Sequence, residues 1–517
     1  MSRWQAALRW GVGTFAAALG LAWIINALSP AGVQWQGVAG SLALLWIVIL
    51  GMACIWRSYG AAGWLAGAMV AAFLMRLALG VGLSLALPVW GHDTPVSNAG
   101  YIFFDAYTRD NQAWELATSG QSLLDAFRDE FYGDQYGGML ALSGLIYRVF
   151  SPDLHRPWLI LIITAFSVAA GVPFLYNALK NPFGETIARL AAWIYVLYPE
   201  SALLGGAQMR DPILIGLAAI SFGVVSNWRT TRFYTLLWAG LLLLTTAAFS
   251  YLVALPLAGV LFVWWWVDYS TEVKRGTVHR LVWGMILLSG LSALAIMGAW
   301  LRESALWEAL QTELGSGHLQ VLFQILPNPL ELPFLVFYGL LQPILPAAIF
   351  DPSLPLWNAI ATFRSLGWYA LLPLLGYAAL GLRFETKGTR RNLLIFSLGL
   401  AVGWALLSSF RAGGDLWDNP RYRILMMPWL AIIAAWSWNT AMRYKDAWFG
   451  RLLACEAIFL LGFSGWYLNR SLGLGLNLPF VMVWGAIAIL CGLVLAGGFA
   501  YDRWRQRKMA EKVIKRG

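Results

Sequence analysis

The chain has 517 residues, 59% of them hydrophobic and only 12% charged, with 30 tryptophans and a formal net charge of +10. Soluble domains carry about 25% charged residues, and apolar runs of roughly 18 or more residues recur here, so the length divides into membrane spans rather than soluble domains. Basic cytoplasmic loops and a basic tail against anionic headgroups account for the positive charge, and no nucleic-acid partner is implied.

Arg3 and Arg9 precede an apolar run from Gly11 to Leu28. That run exceeds a signal-peptide core and reads as a retained first span. Further spans are predicted at 38–56, 62–87, 157–179, 186–204, 212–228, 233–248, 250–267, 280–300, 363–382, 391–410, 422–441, 450–468 and 477–500. The stretch 233–267 is too long for one span and is broken near Ser250. The expected fold is an all-α polytopic membrane protein, a bundle of about 13–14 transmembrane helices. Residues 137–150 are too few to span, and 331–350 lie among Pro327, Pro329, Pro333, Pro343, Pro346, Pro352 and Pro355. Both read as interfacial or re-entrant elements. Cys54, Cys455 and Cys491 lie in apolar runs without ligand spacing and read as packing residues.

Lys and Arg set the expected orientation. With the N-terminus inside, Arg57, Lys180, Arg229, Arg232, Lys274, Arg275, Lys387, Arg390, Arg391, Arg443, Lys445 and the tail RWRQRKMAEKVIKR share the cytoplasmic side. Both termini are then cytoplasmic, in a plasma (inner) membrane. The acids collect on the opposite face, in loop 88–156, in YPESALLGGAQMRDP (198–212), in 301–362 and in RAGGDLWDNPRYR (411–423). The stretch from Tyr101 to Tyr136 is the longest polar interruption of the chain, and long loops in compact proteins are usually functional.

Three of these loops carry candidate chemistry. DNQAWELATSG opens at Asp110, with Trp114 and Ala117 on a helical stripe and Gly120 at its end. Asp110 is therefore expected at a helix N-terminus, either as a simple cap or, with nearby Asp105, as one of two carboxylates whose proton affinities differ enough to leave a general base. In the second loop, which also holds Glu200, Arg210 and Asp211 precede Pro212. Asp211 caps the next span, and Arg210 either pairs or reaches to headgroups. In the third, Arg421 and Arg423 flank Tyr422 at the mouth of a span, as phosphate-clamping guanidinium groups or as interface anchors. The four histidines are scattered, and neither a phosphate-binding glycine loop nor an HExxH motif is present.

The order of these segments resembles the GT-C superfamily of integral-membrane glycosyltransferases. Within it, the closest likeness is to the protein mannosyltransferase-like branch that includes aminoarabinose lipid A transferases. The likeness runs over roughly 62–441, through DNQAWELATSG, YGDQYGGMLALSGLIYRVF, FGETIARLAAWIYVLYPESALLGGAQMRDP and RYRILMMP. It implies accessory helices in 1–60, a catalytic core in 61–441 with its extracytoplasmic loop at 88–156, and further helices and a basic tail in 442–517. It also implies a sugar on a polyprenyl phosphate, transferred with inversion to a lipid, glycan or protein acceptor outside the cytoplasm. By position the base falls on Asp110 or Asp105, and the donor phosphate on Arg421, Tyr422, Arg423 and Arg210, supported by Asp211, Glu200 and Tyr136. The likeness makes no cofactor certain and leaves a divalent metal as an open alternative. A flippase or transporter of lipid-linked glycans would instead show inverted repeats and mid-span ionisable groups. No repeat is visible, and Arg76 and Glu456 are the few mid-span charges. An oligosaccharide polymerase or ligase would share the donor.

Overall fold

The computed structural model describes residues 3–29, 34–128, 137–230, 232–270, 276–290, 292, 328–351, 353–413, 415, 417–475 and 478–514. Among these residues there are helices and no strand. Among the described residues eleven helices are long and apolar enough to cross a membrane, or up to twelve when a bent pair is taken as one span. The chain is a multi-pass membrane protein.

Helices α1 (Arg3–Ala27) and α2 (Trp35–Ser58) form a hairpin that leans on the core through α2. After α3 (Gly63–Trp90) the chain leaves the bundle for a polar layer of α4 (Pro95–Asn98), α5 (Phe104–Thr118) and α6 (Gly137–Phe150). It returns through α7 (Trp158–Phe183), α8 (Glu185–Leu197), α9 (Pro199–Gly205) and α10 (Asp211–Ser226). A hairpin follows, α11 (Arg232–Phe249) and α12 (Tyr251–Tyr269), broken at extended Ser250 as the sequence indicates. Of the predicted span 280–300, residues 280–290 and 292 are described and helical, and the rest lies outside the described residues. The proline-rich region forms α13 (Asn328–Leu341) and α14 (Leu345–Phe350), both too short to span. Then come α15 (Pro355–Gly381), α16 (Thr389–Ala412), the short α17 (Asp418–Arg423), α18 (Met427–Tyr444), α19 (Ala447–Ser471) and α20 (Phe480–Ile514).

The expected single span 186–204 is not one helix. α8 and α9 meet at 52°. Pro199 has no N–H to donate and pushes Tyr198 out of the helical region, to φ −60°, ψ 117°. The break orphans carbonyls at the end of α8, and Arg76 answers them. Its guanidinium, fully buried on α3, donates to the Val196 carbonyl at 3.0 Å, the Tyr195 carbonyl at 3.4 Å and Ser201 Oγ at 3.0 Å. The mid-span charge is thus a cap for a neighbouring helix, an arrangement that repairs an interrupted helix in lipid.

The centre of the bundle is α7, α10 and α18. A Cβ at Gly216 on α10 would collide with the Ser167 carbonyl on α7, so these helices pack backbone to backbone, as small residues allow in membranes. The apolar stretch containing α18 is 89% buried, whereas those of α19 and α20 are 11% buried and face lipid. Charged pairs sort to the two ends of the bundle. Arg229–Asp268 (2.5 Å), Arg383–Asp446 (2.5 Å) and Arg451–Asp502 (2.6 Å) lie at the end where α10, α12 and α18 finish and α19 begins. The opposite end, where α10 and α18 begin, carries the polar layer.

Candidate functional site

Three segments distant in sequence meet around Arg421. Its Nη1 donates to Asp105 Oδ2 at 3.0 Å and to Asp418 Oδ1 at 3.4 Å, and its Nε donates to Asp211 Oδ2 at 3.3 Å. The Arg421 and Asp211 side chains are 5% and 4% exposed, while Asp105 and Asp418 are 43% and 42% exposed. Asp211 is therefore a buried counter-charge, and the other two carboxylates form the open rim.

Local rules place each group. Asp105 occupies the first turn of α5, where the helix dipole favours a carboxylate. Asp211 does the same on α10, ahead of Pro212, which the first turn tolerates. Arg421 rides on α17, whose start is fixed by the Asp415 carboxylate accepting from the Trp417 and Asp418 amides at 2.5 and 2.9 Å. Asn419 Nδ2 then donates to the Gly339 carbonyl at 2.8 Å and ties α17 to α13.

The other predicted residues separate from this cluster. Arg423 is 1% exposed, and its nitrogens donate to the Gln342 and Gly339 carbonyls, both at 3.0 Å, and to Asn419 Oδ1 at 2.9 Å. Its guanidinium lies 3.7 Å from the centre of the Trp368 ring. It holds the chain between α13 and α14. Glu200 is buried against Arg364, with Nε–Oε2 at 2.6 Å and Nη2–Oε1 at 2.9 Å, a two-point pair that Arg suits. Arg364 Nη2 also donates to the Trp417 carbonyl at 3.0 Å, and its guanidinium lies 4.4 Å from the centre of that indole. Tyr422 is half-buried, donates to Asp418 Oδ2 at 3.3 Å and lies 4.7 Å from the Arg411 guanidinium. Arg210 sits at the N-terminal boundary of α10. Tyr136 lies outside the described residues.

Asp110 is not at a helix start. α5 begins at Phe104, one turn or more earlier, and Asp110 lies mid-helix on the buried stripe Ala106, Asp110, Ala113, Leu116. Its carboxylate accepts from Tyr101 Oη and Tyr147 Oη, both at 2.6 Å, and meets His155 Nε2 at 3.0 Å. Burial and the adjacent Asp110 carboxylate hold both phenols well above their ordinary pKa, so they stay protonated donors. Trp114 stacks on the His155 ring at 5.2 Å. Asp110 thus binds α5, α6 and the 151–157 segment into one piece, with Asp105 on a different side of the same helix.

An aromatic wall stands beside the Arg421 cluster. Trp417 meets Phe103 edge-on at 5.8 Å and Trp357 edge-on at 5.3 Å, and His92 stacks on Trp357 at 5.5 Å. The Trp357 indole N–H is buried without a hydrogen-bond partner. Among the described residues no group of three His, Cys, Asp or Glu side chains is arranged to hold a metal ion.

Asp418, Arg364, Trp357 and His155 are not singled out by the sequence, and Trp417 reads there only as an interface aromatic. Arg364 stood hidden at the start of a predicted span, although an arginine there is itself a signal, because a charge at membrane depth needs a partner. No family model, curated protein or solved structure matches the chain.

Proposed function

We propose that this protein is a membrane glycosyltransferase that moves a sugar from a polyprenyl-phosphate donor to an acceptor on the non-cytoplasmic side, with inversion. The observation that carries the reading is the Asp105–Arg421–Asp211 cluster, in which a half-exposed carboxylate faces a buried guanidinium at one end of an apolar bundle.

Each part has a role in that chemistry. Asp105 takes the proton from the acceptor hydroxyl or amine as that atom forms its bond to the anomeric carbon. The bond from that carbon to the phosphate oxygen breaks on the opposite face, and the phosphate leaves with both electrons. The leaving group is already an anion, so it needs charge stabilisation rather than protonation, and Arg421, with Arg411 beside Tyr422, supplies it. Asp211 neutralises the Nε edge of Arg421 and fixes the fork. The aromatic wall offers ring faces to the C–H face of a sugar, and the unpartnered Trp357 N–H offers a donor. Spans that are largely exposed to lipid let an isoprenoid chain approach from the bilayer.

Two measurements test the reading. Arg421→Lys keeps the charge and loses the planar fork. Affinity for a radiolabelled polyprenyl-phosphate sugar is expected to fall roughly ten- to hundredfold, the range of a lost charge-assisted hydrogen bond. Unchanged affinity in a folded variant would make Arg421 a purely structural residue. Orientation is the second. In a variant with Cys54, Cys455 and Cys491 replaced by Ala, a cysteine at exposed Gln121 is expected to react with an impermeant maleimide added outside intact cells. One at exposed Lys387 is expected to be protected until the membrane is opened. The reverse pattern would place the cluster in the cytoplasm, where this donor chemistry does not belong.

A further inference from the structure

On the far side of α5 from the Arg421 cluster, a cavity of about 260 Å³ lies between α1, α3 and α7 and runs up to the Asp110 hub. Its lining combines aliphatic side chains, Leu28, Leu85 and Leu161 among them, with the polar Ser84, Gln208 and His155. Nothing in the transferase chemistry uses it.

Three observations define its occupant. First, the lining has one imidazole and no Lys or Arg, and that imidazole already faces the Asp110 carboxylate. A phosphate or carboxylate would meet Asp110 without a compensating cation, so the polar group is uncharged. Second, His155 is fixed with Nε2 on Asp110 and one face on Trp114, which leaves Nδ1 as the ring nitrogen for a ligand. With Nε2–H donated to the carboxylate, Nδ1 is an acceptor and matches a hydroxyl donor. The backbone beneath is held still, because Arg156 donates to Asp153 at 2.7 and 2.8 Å and to Gln34 Oε1 at 2.8 Å. Third, Gln208 is 7% exposed and lines the cavity, and Trp158, also in the lining, has a buried indole N–H with no hydrogen-bond partner. A buried donor is costly when unpaired, a hydroxyl oxygen can accept from the indole, and the Gln208 amide offers a hydroxyl both a donor and an acceptor.

We infer that this cavity is a binding site for the hydroxyl end of an uncharged aliphatic lipid, with the hydroxyl at His155 and Gln208 and the chain along Leu85 and Leu161. A cavity of 150 Å³ holds benzene, so this one takes roughly ten non-hydrogen atoms, a chain terminus rather than a whole lipid. The inference does not rest on the transferase reading, since it involves the opposite side of α5.

The probe is 1-decanol carrying a diazirine near its methyl end, photolysed with the full chain in nanodiscs and mapped by peptide mass spectrometry. Adducts are expected in Val81–Leu85 and Trp158–Leu161, and excess plain decanol is expected to remove them. Filling the space with Ser84→Phe is expected to abolish these adducts while labelling of lipid-facing α19 and α20 continues, which reports a folded, reconstituted protein. Gln208→Leu and His155→Phe, which keep bulk, are each expected to weaken decanol competition roughly fivefold, the effect of one hydrogen bond. Adducts that persist in Ser84→Phe, or that plain decanol does not compete, would overturn the site. Equal competition by decyl phosphate, or by decane, would overturn the hydroxyl assignment.

Discussion

Asp105→Asn is expected to lower sugar transfer by about 10²–10⁴-fold, the range for removing a general base, while the protein stays folded and still binds the lipid-linked donor. Asparagine keeps the shape, and its oxygen can still accept from Arg421 Nη1, so the cluster persists and only proton affinity is lost. The informative comparison is Asp110→Asn, which swaps a carboxylate that takes two phenols and one imidazole for an amide with a single acceptor oxygen. One hydroxyl then faces an N–H, and the expected cost is about 1–3 kcal/mol of stability, seen as a lower thermal midpoint in detergent. Turnover measured with a radiolabelled lipid-linked sugar separates the two. Normal transfer by Asp105→Asn would remove this carboxylate from the chemistry and bring the flippase reading forward.

The second large effect is structural. Arg364→Met leaves Glu200 buried and unpaired beneath Trp417, and breaking such a pair costs about 3–5 kcal/mol. The expected result is a protein that expresses poorly or melts well below the wild type. The double variant Arg364→Met, Glu200→Leu removes both charges and is expected to recover most of that stability, because a buried pair is close to neutral against apolar residues of similar size. It is not expected to recover activity fully, since the Trp417 carbonyl and indole lose their anchor and α17 carries Arg421. A double variant as unstable as the single one would mean that Arg364 acts mainly through Trp417 rather than through Glu200.

The spans were legible because lipid leaves backbone groups no partner outside the helix, so composition and length nearly suffice. The break at Ser250 was legible for the same reason, as a length too great for one crossing. The break at Tyr198 was not, because α8 and α9 together have the length and hydropathy of one span, and only the proline disagreed. In the candidate site, Asp105, Asp211 and Arg421 were all named from their loops, yet their meeting was not readable, since it depends on how α5, α10 and α17 cross. Asp110 carried a signal that was misread. A carboxylate on the stripe Ala106, Ala113, Leu116 points inward, and an inward acid implies waiting donors. Its three donors lie up to 45 positions away, beyond any local pattern. Arg423 shares the RYR motif with Arg421 but faces carbonyls, a difference of side-chain direction that spacing alone does not encode.

The repaired break between α8 and α9 divides the site into two unequal walls. Just past it, the Gly206 backbone lies directly against Gly80 of α3, with no room for a Cβ on either residue, and Arg76 is riveted across the joint. Glu200 and Asp211, on either side of this seam, inherit its rigidity. The facing wall, α13, α14 and α17, is built of short helices joined through side chains such as Asn419 and Arg423. On the proposed reading, a substrate too large for the resting site is expected to enter by displacing that second wall, with α3 and its seam as the fixed jaw.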